Sequence, residues 1–266
     1  MTSDDTRLSA ADRLLLDARR LGRRVRARLA AVVRAGGSDE RATLAIGRFG
    51  PFELAYRRGT VDERVIRETI DGDAFFGSVP EYRAEPGHVI LDVGAHIGAF
   101  ALDASRRVSA GRVLAVEASL ESFNYLRVNR ALNGAANLEI DHLALAARQG
   151  TATLYHDVGN WGHSIVKKLS SRTEPVATET LAGYLDARGV ARCDFAKLNC
   201  EGAEFPILLA SSAATLGKID RLLVLYHLDL VTGSRLEDLE RHLQDAGFRL
   251  RRFDQARGRG WIYAAR

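Results

Sequence analysis

The stretch VILDVGAHIGAF, residues 89–100, reads as a β-strand running into a glycine turn and then a helix. In an open α/β sheet, ligands bind beyond the carboxyl ends of the strands, at a junction of this kind. A dinucleotide fingerprint needs G-x-G-x-x-G so that backbone N–H groups can approach a pyrophosphate. Here Gly94 and Gly98 are present, but His96 stands where the second glycine of the fingerprint would be, and Asp92 sits two residues before the first. A carboxylate at that point opposes a pyrophosphate by ~4 kcal/mol at 4 Å and an effective dielectric of 20. A ligand carrying positive charge removes the conflict, so the sequence predicts a cationic guest received partly by Asp92.

Outward from that junction, strand-like and helix-like segments alternate. HVILDVG (88–94), GRVLAVEA (111–118), ANLEIDHLAL (136–145), CDFAKLNC (193–200) and DRLLVLYHL (220–228) read as strands. Helical patterns lie between most of them, which implies a parallel sheet with right-handed crossovers. A helix is expected from Ser234, with Ser234 and Glu237 as a capping box, Leu236, Leu239 and Leu243 as the buried stripe, and Gly247 as the stop. FRLRRFD and GWIYAAR, separated by QARGRG, read as a closing hairpin. Before Pro86 the pattern differs. TLAIGRFGPFELAYRRGTVDERVIRETI mixes short β-like runs with turn residues, so residues 1–85 are expected to form an N-terminal helix and cap, and residues 86–266 the ligand-binding domain.

With 266 residues, 46% hydrophobic and 27% charged, the chain has the composition of a folded soluble domain. The net charge of +4 does not point to nucleic acid, because its basic residues are spread along the chain and balanced by 34 acids. No apolar run is long enough for a membrane span, and the polar start MTSDDTRLSA is unlike a secretory signal, so a cytoplasmic protein is expected. An early helix with Leu14, Ala18, Leu21, Val25, Leu29 and Val32 on one face and arginines between them reads as a docking helix, a membrane-surface contact or an acidic-partner contact. Cys193 and Cys200 lack the spacing of a zinc motif and read as reduced core thiols.

Glu117, with Ala118 and Ser119 at the end of the second strand, is placed to accept hydrogen bonds from ribose hydroxyls. His142, Leu143 and Ala144, at the end of the third, are expected to border a nucleobase, and Phe100 to lie beside the first turn. S-adenosylmethionine fits these marks, having a nucleoside, a sulfonium and an ammonium but no phosphate. A nicotinamide-dependent oxidoreductase shares the strand-turn-helix and Glu117, and a non-catalytic cofactor-binding module shares all of them.

Taken together, LDVGAHIGAF, AVEAS, HLALAARQGTATLY, GNWGHSIV and KLNCEGAEFPIL resemble the FkbM-type methyltransferases, a class I S-adenosylmethionine-dependent family of natural-product and glycan tailoring. The resemblance runs from about Val61 to the C-terminus. It implies an α/β, Rossmann-like sheet of seven strands with the last antiparallel, S-adenosylmethionine as cofactor, and methylation of a hydroxyl on a small-molecule or glycan acceptor. The family usually reads K-I-D-V-E-G-A-E where this chain has K-L-N-C-E-G-A-E, so Asn199 replaces a frequent Asp. Hard cations prefer carboxylates, and a metal-independent reaction is expected.

Methyl transfer to an alcohol needs an aligned oxygen and a base. Of the seven histidines, His227 at the end of the fifth strand is the best placed, and Glu201 can orient it or act as the base itself, with Asn199 beside them. Lys197 is expected to pair with Glu201 or Glu204. His163 and Trp161 belong to a glycine-rich loop suited to walling the cofactor or acceptor. The identity of the acceptor and the oligomeric state, including a homo-oligomer, are open at this level.

Overall fold

The computed structural model describes residues 43–157 and 162–266. The early arginine-rich helix and Trp161 lie outside the described residues. Among those described, no helix is long and apolar enough to cross a membrane.

The chain enters through a hairpin, β1 (Thr43–Phe49) and β2 (Phe52–Arg58), followed by helix α1 (Asp62–Ile70). The main sheet is then laid down as β3 (Val89–Val93), β4 (Arg112–Glu117), β5 (Leu138–His142), β9 (Phe195–Leu198), β10 (Arg221–His227), β11 (Arg249–Ala256) and β12 (Arg259–Ala265). Their spatial order is β11-β12-β10-β9-β3-β4-β5, and only β12 runs against its neighbours. This is the seven-stranded sheet that the resemblance implies, with the last strand antiparallel. The order reverses at β3, which lies between β4 and β9, so the turn after β3 opens into the crevice where such sheets bind ligands.

Helices α2 (Ala99–Arg107) and α3 (Leu120–Asn133) connect β3 to β4 and β4 to β5. Continuous apolar burial along β3 and β4 reflects cover on both faces. The remaining helices are α4 (Leu181–Ala187), α5 (Glu204–Leu209), α6 (Ala213–Leu216) and α7 (Leu236–Asp245). The expected strand 136–145 is divided: β5 stays in the main sheet, while β6 (Ala144–Leu145) leaves it and pairs with β8 (Thr173–Glu179) beside β7 (Gly150–Tyr155). This second sheet had no counterpart in the sequence reading.

Helix α7 buries Leu236, Leu239 and Leu243 as expected, and Gly247 takes φ +93° just past its end. Its start differs. Arg235, with extended backbone and no side-chain cap, is the N-cap, so Ser234 and Glu237 are one position out of register for a capping box. The closing hairpin turns through Arg257 and Gly258, both at positive φ as a two-residue turn of the primed type requires.

The hairpin and α1 have no separate core. Phe76 and Tyr82, in the segment after α1, stand 5.5 and 4.6 Å from the ring of Phe195 in the main sheet, within one continuous apolar cluster. The outer edge of β2 is closed by side chains. Asn133 Oδ1 accepts from Glu53 N at 3.0 Å, Asn129 Oδ1 from Ala55 N at 2.7 Å, and Asp62 Oδ2 from Arg57 N at 2.8 Å. The two asparagines also donate to the carbonyls of Glu53 and Ala55. They tie the hairpin to α3 much as a neighbouring strand would.

Candidate active site

The strands β3, β4 and β9 end on one cleft of about 970 Å³ including its open mouth. Of the residues marked in the sequence, Gly94, His96, Phe100, Glu117, Ala118, Leu143, Ala144, Asn199 and Glu201 line it. Asp92, Gly98, Ser119, His142 and His227 do not.

Glu117 is the best-defined anchor. The N–H of His96 donates to its Oε2 at 2.7 Å and the N–H of Ser119 to its Oε1 at 2.8 Å. Two backbone donors fix the carboxylate and leave lone pairs on both oxygens for a ligand. Ser119 works from behind: it caps α3 by accepting from Ser122 N and holds Glu117 through its own amide. His142 turns toward Ala118 O, 3.0 Å away, with its ring against Phe123, leaving Leu143 and Ala144 as the apolar wall. Gly98 is the left-handed N-cap of α2, and a Cβ there would meet Leu126 at 2.4 Å. Gly94 takes φ +79°, and its Cβ would lie 1.9 Å from the carbonyl oxygen of Asn199, so β3 and β9 approach too closely for any side chain.

Asp92 does something other than expected. It is fully buried, and Lys197 Nζ lies 2.8 Å from its Oδ1 and 2.8 Å from Gly94 O. Burial pushes the Asp92 carboxyl up, opposed by the Lys197 charge. The counter-charge is thus supplied by β9, not by the guest, and the argument from Asp92 to a cationic ligand is overturned. Lys197 correspondingly pairs with Asp92 instead of Glu201 or Glu204. Its ammonium also lies 5.4 Å from the Phe75 ring and 5.8 Å from that of Phe100.

At the other end, Glu201 follows β9 at φ +51°. Its side chain is 15% exposed, with His227 Nε2 at 3.5 Å and Arg259 Nη1 at 3.9 Å. Burial raises its pKa and Glu204 adds to the rise, against the opposing pull of His227 and Arg259. His227 is behind it and off the cleft wall, 1% exposed, with Nδ1 3.1 Å from Glu204 Oε1. Burial disfavours its charge, but the hydrogen bond to Glu204 and the charges of Glu204 and Glu201 outweigh that, so its pKa lies above the ordinary imidazole value. Glu204 itself is anchored by Cys200 N and Gly202 N at 2.7 and 2.8 Å.

Asn199 Oδ1 is buried, and it has no hydrogen-bond partner among the described residues. Together with the open lone pairs of Glu117, it fits a ligand with a hydrogen-bond donor at one end and a diol at the other. His163 also lines the cleft, its Nδ1 accepting from Asp157 N at 3.1 Å. Burial, then the charges of His156, Arg57, His96 and Arg172, hold its pKa well below the usual value. Cys193 is buried, its thiol pushed up to about 12 by burial, whereas Cys200 lines the cleft.

Several contributors escaped the sequence reading. Val65 and Thr69 of α1, Phe75, and Leu154 and Ile165 from around the second sheet complete the walls. Their only signal was apolar character in segments read as cap or loop, and Thr69 lacked even that.

A model of the FkbM methyltransferase domain matches residues 92–250, more than half of the chain. The chain belongs to the FkbM methyltransferase family. Its cofactor is accordingly S-adenosylmethionine, and the nicotinamide alternative falls. No curated protein matches it in sequence. Among solved structures it is similar in fold to a precorrin-6y C5,15-methyltransferase from Geobacter metallireducens (13% identity, 71% of this chain and 84% of that one, TM-score 0.44). The same holds for TYW2 from M. jannaschii in complex with AdoMet (16%, 85% and 85%, 0.43) and for magnesium protoporphyrin IX methyltransferase from Synechocystis with bound SAH (13%, 76% and 84%, 0.44).

Proposed function

We propose that this methyltransferase acts on a hydroxyl of a small polyhydroxylated acceptor, a natural product or a sugar, without a metal, and that Glu201 takes the proton. The observation that carries the reading is a carboxylate with a raised pKa on the cleft wall, backed by a buried histidine. Bound in the cleft, S-adenosylmethionine supplies a methyl carbon activated by the adjoining sulfonium.

Glu117 takes the ribose hydroxyls, Leu143 and Ala144 flank the base, and Asn199 Oδ1 accepts from the amino group of the methionyl end. The topology supports this division, since Glu117 and Glu201 follow the two strands that flank β3. Glu201 is the better base because a raised pKa brings a carboxylate nearer to the working pH. Glu204 favours the protonated form of His227, which makes it a poorer base, and its role is to favour the ionised form of Glu201. The proton passes from the acceptor hydroxyl to Glu201 and from Glu201 to water after product leaves. Asn199, an amide where related chains carry a carboxylate, supports the metal-independent reading.

The test is a methyl-release assay against a panel of polyhydroxylated acceptors, with and without chelator. Turnover on a hydroxyl that chelator leaves unchanged is expected. Methylation confined to nitrogen, or loss of turnover with chelator, would refute the proposal, and intact cofactor binding with no turnover on any acceptor would favour a non-catalytic homologue.

A further inference from the structure

Arg57 lies on β2, in the stretch read from sequence as part of an N-terminal cap, and its side chain is fully buried. A guanidinium in such a place is costly unless its charge is paired. Nε donates to Asp62 Oδ2 at 2.9 Å and Nη2 to Asp62 Oδ1 at 2.9 Å, a planar two-point pair that only arginine makes. Nη2 also reaches Ser122 Oγ at 3.3 Å, while Nη1, 3.9 Å from Glu121 Oε2, has a charge partner but no hydrogen bond among the described residues.

The remaining contact leads to the cofactor. Arg57 Nη2 is 2.8 Å from His96 Nε2. The same Nε2 lies 3.2 Å from Asp62 Oδ1, so the ring is held between the guanidinium and its carboxylate. His96 has φ +55°, a left-handed conformation that side chains other than glycine adopt only under constraint. That conformation aims the His96 N–H at Glu117 Oε2. A second tie runs in parallel: Asn129 Nδ2 donates to both Ala55 O on β2 and Ile97 O in the turn, at 3.0 and 2.8 Å.

We propose that Arg57 and Asp62 are positioning residues of the cofactor site: they clamp the His96 ring, keep its backbone left-handed, and so aim the amide that holds the ribose-binding carboxylate. The hairpin and α1 then set cofactor affinity, and α1 also walls the cleft. This rests on S-adenosylmethionine being the ligand of that cleft.

Calorimetric titration of the full chain with S-adenosylhomocysteine tests it, with thermal melts by circular dichroism to confirm folding. Arg57→Lys and Asp62→Asn are each expected to weaken binding by at least about tenfold, the loss of a charged hydrogen bond. His96→Gly accepts the left-handed backbone with no ring to clamp, so the double variant Arg57→Lys/His96→Gly is expected to bind like His96→Gly alone. Folded Arg57→Lys that binds as wild type, or a double variant that loses a further factor of about ten, would overturn the proposal. Should the arginine variant fail to fold, hydrogen exchange of the wild type decides. None of Phe52–Arg58 lines the cleft, yet its amides are expected to exchange more slowly when S-adenosylhomocysteine is bound. Unchanged exchange there contradicts the clamp, whereas wild type that takes up no S-adenosylhomocysteine removes the cofactor reading itself.

Discussion

Two glutamates on the same cleft are held in opposite ways. Glu117 is gripped by backbone amides at 2.7 and 2.8 Å, donors that cannot titrate. Glu201 has ionisable side chains for neighbours instead: His227 at 3.5 Å and Arg259 at 3.9 Å. A main-chain grip suits a permanent acceptor. A carboxylate whose pKa is pushed upward by burial, with a histidine adjusting it, suits an exchanged proton. Similar side chains acquire different tasks from the chemistry behind them.

The largest effect expected from this contrast belongs to Glu201→Gln, which should lower kcat by about 10²–10⁴ while leaving S-adenosylhomocysteine affinity unchanged. Single-turnover kinetics beside calorimetry would read both. Next is Lys197→Met, which strands the buried Asp92 and should cost about 3–5 kcal/mol of stability in a denaturant melt, since the remaining charge has no counter-ion. Glu117→Gln should show the inverse of the Glu201 pattern, weakening S-adenosylhomocysteine by about tenfold or more. If both glutamine variants alter affinity alike, the division of labour is wrong.

Smaller effects sharpen the comparison. A Cβ on Gly162 would lie 2.1 Å from Glu201 Cδ, so Gly162→Ala should displace that carboxylate and cut kcat by about tenfold with affinity retained. The pH profile is finer still. The positive His227 favours ionised Glu201, so His227→Asn should move the acid limb of kcat/KM to higher pH. Because its own folded-state pKa is raised, His227 contributes stability that is fully present below about 6.5 and is lost as pH rises through the folded value. Melting temperatures from about pH 6 to about pH 9 should therefore fall less steeply in His227→Asn than in wild type.

The framework of the fold was legible because it repeats locally. Apolar runs marked β3, β4, β9 and β10, and the resemblance implied the antiparallel β12. What escaped depended on contacts remote in sequence. The partner of Asp92 lies on β9, and nothing in LDVG reveals that Lys197 will neutralise it. Arg57 resembles any hairpin arginine, a residue type ordinarily at the surface, and its burial follows from Asp62 and His96 arriving from other elements. His227 was recognisable as a strand-end histidine, but whether it faces the cleft or backs Glu201 depends on Glu204, whose position is fixed by amides in the turn after β9. Leu143 sits between strands in two different sheets, a branching that a single apolar run cannot express.

The side-chain seal along β2 has a bearing on self-association. A two-stranded ribbon normally offers its outward backbone groups as a template on which a second copy can grow, the first step toward fibres or swapped dimers. With the amides of Glu53, Ala55 and Arg57 already engaged, that template is switched off along β2 from within the same molecule. Asn129→Ala together with Asn133→Ala would reopen it, and the hairpin would become the place where this protein first sticks to itself.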